Sequence, residues 1–219
     1  MGMGIPLTVV HTKLQKLYKP PRTFLNHTTA FQLLVATLLS AQCTDAVVNR
    51  VTNELFKDYP DPKNFAKLTQ SALEKSIHST GFFRTKAKHI LALSRIILRQ
   101  HNGKVPQTME ELTALPGIGR KTACIILFAA FGKTEGIAVD THVMRLARRL
   151  GLTKHKDTKK IEIDLMSQLP RTYWGAITPL LIMHGRAICT ARSRRCAECV
   201  FARSCASSLV RGRKDRAAQ

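Results

Sequence analysis

The chain has 219 residues, of which 44% are apolar, so it can bury a hydrophobic core in one large domain or two small ones. Its apolar runs are too short to cross a bilayer, which excludes a membrane-spanning protein and favours a cytoplasmic one. The 35 Lys and Arg residues far outnumber the 14 Asp and Glu residues. The net charge of +21 favours a polyanionic partner such as nucleic acid, with a solvated basic surface as the alternative.

Apolar residues recur at helical spacing along nearly the whole chain, so the sequence predicts an all-α protein. The clearest pattern covers residues 83–98, where apolar side chains share one face. The basic residues that fall largely on the opposite face are Arg84, Lys88, Arg95 and Arg99. Similar patterns predict helices over residues 28–41, 45–56, 121–131, 142–150, 161–169 and 173–188.

Pro and Gly residues separate the predicted helices. Weak domain boundaries lie near residues 19–23 and 132–136, and the helical pattern alone leaves open whether they divide two domains. The basic tail, residues 211–219, is expected to fray.

Residues 38–45, with the sequence LLSAQCTD, join two of the predicted helices. Gln42 lies at this junction, and its amide can hydrogen-bond the edge of a nucleic-acid base. The alternative is a plain helix connection in which Thr44 or Asp45 caps the next helix.

Residues 115–123, with the sequence LPGIGRKTA, form a glycine-rich turn before another predicted helix. Gly117 and Gly119 let the backbone turn tightly and approach another surface closely. The N–H groups of the next helix begin beside Arg120, and a helix N-terminus is suited to binding phosphate. A plain turn between two helices is the alternative.

Lys121 lies in the first turn of that helix, where lysine is unusual because its charge opposes the helix dipole. A neutral lysine amine can attack carbon, and a charged one can pair with a phosphate. From these residues alone the phosphate-pairing role is favoured.

Residues 139–143, with the sequence VDTHV, precede a predicted helix. Asp140 is a candidate N-cap and also a candidate carboxylate for a cation or an activated water. The two roles are compatible, because a cap fixes the side chain at the helix entrance. His142 could act as a base or a metal ligand, but a buried, hydrogen-bonded histidine is favoured.

Four of the six cysteines fall within 17 residues, with six, two and five residues between successive members. They are Cys189, Cys196, Cys199 and Cys205. A tight cluster favours a metal centre over disulfides. Because structural zinc sites usually show two short pairs and only one is present, the spacing favours a 4Fe–4S cluster, with zinc as the alternative.

Three arginines lie between the first two of these cysteines, and a metal centre would hold them on a rigid loop suited to phosphate contact. They are Arg192, Arg194 and Arg195.

Together these motifs resemble the endonuclease III family, bifunctional DNA glycosylases of the helix-hairpin-helix superfamily, over about residues 25–206. The resemblance implies that Lys121 is the catalytic lysine and Asp140 the catalytic aspartate. It implies that Gln42 fills the gap left by an extruded nucleotide. Phe82 corresponds to a wedge position where aliphatic residues are more familiar, and Cys124 stands where asparagine is common.

The family fold implies two all-α domains with a DNA-binding cleft between them. One would be a six-helix domain, residues 23–134, with its helix-hairpin-helix at 113–122. The other would combine residues 1–22 and 135–219 and hold one 4Fe–4S cluster in the loop 189–205.

The resemblance also implies a reaction and a partner. A monomer would bind double-stranded DNA that contains damaged pyrimidines or abasic sites. The lysine would displace the base, and β-elimination through a Schiff base would cut the strand 3′ of the lesion.

Two other functions remain open. Monofunctional relatives that excise mismatched adenine or thymine share the fold but carry a non-lysine residue at the hairpin position, so Lys121 argues against them. A non-catalytic DNA-binding module with a redox-sensing cluster would need the charge and the cysteines but not Lys121 together with Asp140.

Overall fold

The computed structural model describes residues 5–210, and this part of the chain is helical, as the sequence predicts. Within it, β structure is limited to one isolated bridge between Cys189 and Arg194. None of the described helices is long and apolar enough to span a membrane. The tail that was expected to fray, residues 211–219, lies outside the described residues.

The α-helices of the described part are α1 Leu7–Leu17, α2 Ala30–Leu39, α3 Asp45–Asp58, α4 Pro62–Lys67, α5 Gln70–Ile77, α6 Phe83–Gln100, α7 Met109–Ala114, α8 Arg120–Phe131, α9 Thr141–Leu150, α10 Thr158–Gln168 and α11 Trp174–Ala187. Short 3-10 segments cover His78–Thr80, Arg171–Tyr173 and Cys196–Glu198. The seven helices predicted from periodicity match within three residues at either end. The other four helices, α1, α4, α5 and α7, are not among these seven, and α4, α5 and α7 have only six to eight residues, which show little periodicity.

The chain folds into two compact units. One is Thr23–Lys133, and the other combines the described residues up to Arg22 with those from Thr134 to residue 210. The first contains α2 to α8, which is seven helices against the six that the resemblance implied, although α4 and α7 have only six residues each.

The unit Thr23–Lys133 is built around α2, in which every residue from Phe31 to Leu39 is buried. The rings of Phe31 and Phe65 meet edge to face with their centroids 5.4 Å apart, and such aromatic pairs add about 1 kcal/mol beyond their buried area. Because α2 is buried on all sides, packing fixes the position of its C-terminal end at Leu39. The junction that contains Gln42 begins at this fixed point.

Threonine and aspartate side chains set most of the helix starts in this unit. Each accepts a hydrogen bond from the backbone N–H three residues ahead, which satisfies a donor without a partner inside the helix. These N-caps are Thr29, Thr44, Asp61, Thr69 and Thr108. The N-cap of α8, Gly119, lacks such a side chain.

The second unit packs α1, α9, α10 and α11 around an apolar core that includes Leu14, Leu146, Ile161 and Ile177. Gly185 on α11 lies so close to α9 that a Cβ atom there would sit 2.8 Å from Nδ1 of His142. This close approach brings the end of α11, and with it the start of the cysteine loop, against α9.

Candidate functional site

The glycine-rich turn joins α7 to α8 as a helical hairpin. Ile118 is buried and donates its N–H to the carbonyl of Leu115 at 3.1 Å, which anchors the turn to the core. Gly117 is exposed with φ +79°, a left-handed conformation that favours glycine. A Cβ atom at Gly117 would also lie 2.6 Å from Nδ1 of His89, so both the backbone and the packing require a glycine.

Gly119 is a glycine for a different reason. Its φ of −93° is open to any residue, and a Cβ atom there would meet no other heavy atom of the protein within 4 Å. The chain's own packing therefore does not require glycine at this position. The missing side chain leaves open space in front of the first turn of α8, where helical N–H groups carry the positive end of the dipole.

Lys121 is the second residue of α8 and is exposed, whereas Ala123 and Cys124 on the same turn are buried. The buried face fixes the helix in the core of its unit, and the lysine extends from the other face. Lys121 belongs to the unit Thr23–Lys133, and Asp140 belongs to the other unit.

Asp140 is the N-cap of α9, as one of its two predicted roles requires. Its Oδ1 accepts a hydrogen bond from the N–H of Val143 at 2.8 Å, and the side chain is half-buried. His142 lies 3.1 Å from the guanidinium of Arg145, so it is a partly buried, hydrogen-bonded histidine, as favoured above.

Gln42 and Phe82 share an unusual backbone. Their φ angles are 54° and 48°, and Asn102 is the third non-glycine residue with positive φ among residues 5–210. Both side chains are exposed, and 68% of Phe82 is accessible although it is a large apolar residue. Left-handed backbone at a non-glycine residue costs about 1–2 kcal/mol, and such strain is concentrated at functional sites.

All four clustered cysteines line one pocket, together with side chains of α9 and α11. They are Cys189, Cys196, Cys199 and Cys205, and none forms a disulfide. Among the described residues, no group of three or more His, Cys, Asp and Glu side chains has the geometry for a single metal ion.

The surroundings of the pocket disfavour the ionised form of the cysteines unless a cation neutralises the thiolates. Burial raises the pKa of the Cys199 thiol, the N–H of Phe201 lowers it, and the other three cysteines raise it further. Thiolates bound to a metal centre are neutralised by the metal's charge. Four thiols that share one pocket match the donor set of an iron–sulfur cluster. Zinc can use the same thiolate donors, but as a single ion it needs a geometry that the described side chains do not show.

Comparison with known proteins identifies the family. The pattern of the HhH-GPD superfamily, base excision DNA repair proteins, matches residues 35–171. The chain is 51% identical over 195 residues to endonuclease III of Synechocystis sp., with 89% of both chains covered. It is 39% identical over 194 residues to endonuclease III of Escherichia coli, covering 89% of this chain and 92% of the other. The chain belongs to the endonuclease III family.

Solved structures agree with this assignment. A trapped covalent intermediate of endonuclease III with DNA has a TM-score of 0.87 and 37% identity, covering 96% of this chain and 97% of that one. A thermostable thymine-DNA glycosylase has a TM-score of 0.77 over 91% of this chain, and at 20% identity it shows the shared fold alone.

Sequence reasoning missed the arginine that holds the cysteine loop of this endonuclease III relative. Arg149 on α9 donates to the carbonyls of Thr190 at 2.7 Å and Ala191 at 3.1 Å. It also lies 3.2 Å from Sγ of Cys189. The residues in contact are about 40 positions apart, so local sequence pattern does not predict the contact. The sequence shows only an arginine near the end of a predicted helix, a position where it can donate to carbonyls.

A buried histidine also touches the pocket. His184 is 2% exposed, its Nδ1 lies 3.1 Å from the hydroxyl of Tyr18, and its Nε2 lies 3.5 Å from Sγ of Cys199. Burial lowers the pKa of His184 to about 4, so the ring is neutral at physiological pH. When the Tyr18 hydroxyl donates to Nδ1, the single ring N–H lies on Nε2 and faces the sulfur.

The three arginines predicted to contact phosphate differ in their surroundings. Arg192 is exposed. Arg194 donates to the carbonyl of Ser207 at 2.9 Å. Arg195 pairs with Glu198 at 3.1 Å and donates to the carbonyl of Ala187. Arg194 and Arg195 therefore stabilise the cysteine loop itself, and Arg192 is the member of the set best suited to an external anion.

The two hairpin glycines should respond differently to an added side chain. Gly117→Ala forces a methyl group into a left-handed conformation and against the His89 ring, so the free energy of unfolding should fall by about 2 kcal/mol. Gly119→Ser adds a favourable N-cap in open space, so the free energy of unfolding should change by less than about 1 kcal/mol. Urea denaturation measures both, and equal losses would contradict the difference.

Proposed function

We propose that this protein excises oxidised pyrimidines from double-stranded DNA and cuts the strand 3′ of the abasic site, with Lys121 as nucleophile and Asp140 as its assisting carboxylate. Membership of the endonuclease III family makes it a DNA glycosylase and AP lyase of base excision repair. One observation carries the residue assignment: an exposed lysine follows a hairpin whose cap leaves a helix N-terminus open. We expect it to act as a monomer on the DNA of the cytoplasmic nucleoid.

The proposed reaction begins with the neutral amine of Lys121, because only the unprotonated form attacks carbon. Nζ forms a bond to the anomeric C1′, and the bond from C1′ to the base nitrogen breaks with its electron pair going to the base, which is then protonated. Asp140 stabilises the positive charge that develops on the sugar and assists proton transfer. Opening of the sugar ring leaves an imine between Nζ and C1′.

Strand cleavage follows from the same imine. Loss of a proton from C2′ delivers electrons that expel the 3′ oxygen with its phosphate, which is a β-elimination. Water then hydrolyses the imine, which frees Lys121 and leaves an unsaturated aldehyde on the DNA. A lysine nucleophile thus links base excision to strand cutting, whereas direct attack by water would stop at the abasic site.

DNA binding is proposed to use backbone contacts for affinity and two inserted side chains for extrusion. The open N-terminus of α8 at Gly119, together with Arg120, suits a phosphate group. Gln42 would fill the gap left by the extruded nucleotide, and Phe82 would act as the wedge. Their exposure supports these roles, because an apolar ring that unstacks a base pair must extend beyond the protein surface.

The four cysteines are proposed to hold one 4Fe–4S cluster. Their shared pocket, their free thiols and the family assignment support it. When bound, such a cluster cross-links the loop between Cys189 and Cys205 and provides a redox-capable centre. Arg149 and His184 would hydrogen-bond the ligand sulfurs, which orients them. Zinc is the competing occupant.

Borohydride trapping tests the nucleophile, since it reduces the imine to a stable link between protein and DNA. On duplex DNA with thymine glycol or an abasic site, the wild type and Lys75→Ala, a variant of another exposed lysine, should form the adduct. Lys121→Ala should form none. An adduct with Lys121→Ala would rule out this nucleophile.

Asp140→Asn separates the charge of the carboxylate from its capping role. Asparagine caps helices nearly as well as aspartate, so the bond to the Val143 N–H and the thermal midpoint should be kept. Single-turnover base excision should slow by about 10²–10⁴-fold, because proton-transfer assistance of that size is lost. An unchanged rate would leave Asp140 with a capping role only.

Metal analysis tests the centre. The purified protein should be brown and contain about four iron atoms per chain, and a colourless zinc-loaded protein would contradict the cluster.

Arg149→Met removes the hydrogen bonds to Thr190 and Ala191, so iron should be lost faster during dialysis against a chelator. Arg148→Met, an exposed neighbour on the same helix, is the matched control and should retain iron like the wild type.

The salt dependence of DNA binding tests the arginine loop. Arg192→Ala should weaken binding and reduce the slope of log K against log salt by about 0.9, because one phosphate contact is lost. Lys159→Ala removes one exposed charge from α10 and controls for net charge. Equal slopes for Arg192→Ala and the wild type would exclude this phosphate contact.

A further inference from the structure

Lys86 is a lysine in the core of its unit. It is 4% exposed, and its Nζ donates to the carbonyl of Leu39 at 2.8 Å and to that of Thr80 at 2.7 Å. Burial lowers the pKa of Lys86 from its usual value, and nearby Cys43 raises it. Lysines are rarely buried to this extent, because desolvation of an ammonium group is costly unless its donors are satisfied.

The two acceptors of Lys86 lie at the ends of two helical segments. Leu39 is the last residue of α2, and Thr80 is the last residue of the 3-10 segment His78–Thr80. Carbonyls at a helix C-terminus lack intrahelical partners and carry the negative end of the dipole. One ammonium group thus donates to the carbonyls at the ends of two helical segments and joins them. The first of these carbonyls is 47 residues away in sequence.

Each joined end continues into one of the two strained residues. Gln42 follows Leu39 by three residues, and Phe82 follows Thr80 by two, with φ angles of 54° and 48°. Lys86 also donates its own backbone N–H to the carbonyl of Phe82 at 3.1 Å. Lys86 therefore touches the segment of Phe82 twice and the segment of Gln42 once.

We propose that Lys86 is a positioning residue that fixes the spacing between Gln42 and Phe82, so that both can enter the DNA stack when a damaged nucleotide is extruded. The inference rests on the insertion roles proposed above for those two residues. Insertion at one lesion requires two side chains at a set separation, and left-handed backbone relaxes unless its surroundings hold it. Lys86 supplies that restraint from inside the protein, without touching DNA.

The effect of Lys86 should depend on whether the lesion is paired. In a paired duplex the inserted residues must displace the lesion, whereas in a small bulge the base is already unstacked. Lys86→Met keeps the length of the side chain but leaves the Leu39 and Thr80 carbonyls without their donor. Because the proposal places the penalty of these unsatisfied buried carbonyls on the insertion step, single-turnover excision from the paired duplex should slow about tenfold to hundredfold. Excision of the same lesion from a bulge should change less than about threefold.

Ser94→Ala is the matched control, because Ser94 is also a buried polar residue of α6 and donates to the carbonyl of Ile90 at 2.7 Å. It should excise both substrates like the wild type. If Lys86→Met does not fold, Lys86→Gln replaces it, since its amide keeps donors near the carbonyls. It should show the same preference for the bulged substrate with a smaller defect.

Double-mutant cycles decide whether Lys86 acts through the two inserted residues. Combined with Gln42→Ala or Phe82→Ala, Lys86→Met should add little further loss on the paired duplex, because coupled residues are not additive. Equal slowing on paired and bulged lesions, or full additivity, would overturn the proposal. So would a wild-type rate of Lys86→Met while Gln42→Ala and Phe82→Ala are slow.

The same experiments separate this inference from the proposed function. An adduct with Lys121→Ala would refute the proposed nucleophile and leave the Lys86 comparison intact. Wild-type rates for both Gln42→Ala and Phe82→Ala on the paired duplex would refute the insertion roles, and the inference about Lys86 would fall with them.

Discussion

Each α-helix leaves N–H groups at its first turn and carbonyls at its last turn without intrahelical partners, and an all-α protein must satisfy them with side chains, water or a ligand. The notable residues of this chain lie at such ends. Asp140 caps α9, Lys86 closes the end of α2, and Arg149 holds the carbonyls that follow α11. The start of α8 lacks a side-chain cap, because Gly119 offers no side chain, and the space in front of it is open. Its first turn is therefore suited to a phosphate.

The basic residues of the chain divide by the same logic. Some of them donate hydrogen bonds to backbone carbonyls inside their own units, namely Lys86, Arg149 and Arg194. Others, such as Lys121 and Arg192, are exposed. The net charge of +21 thus overstates the charge available to DNA. Cations that satisfy carbonyls order the loops, and exposed cations are left for long-range attraction to phosphates. Composition alone cannot separate the two groups, since both are simply lysine and arginine.

The sequence predicted features that depend on local pattern. Helical periodicity gave the long helices, and the spacing of the cysteines predicted that they share one centre, which agrees with the pocket that all four line. The strained backbone at Gln42 and Phe82 could not be predicted, because neither is a residue type that favours positive φ. Lys86 left a weak signal, since its spacing to Ile90 and Leu93 puts it on the apolar face of α6. Its partner at Leu39 is 47 residues away, and no local pattern carries such a contact.

The cysteine loop shows why a metal centre suits this part of the chain. Between α11 and residue 210 the regular structure consists of one 3-10 segment and one isolated bridge, and the rest is held by turn hydrogen bonds such as that from the Cys205 N–H to the Phe201 carbonyl at 2.8 Å. Phe201 is fully buried, yet three of the four cysteines contact the core only as partly buried residues. A cross-link through four thiolates would restrict the unfolded loop far more than this apolar contact does.

The buried His184 and its partner Tyr18 extend that restraint to the end of α1, because the ring touches Cys199 on one side and the tyrosine hydroxyl on the other. A change at the cysteine centre should therefore also affect the N-terminal helix, through the contact between His184 and Tyr18.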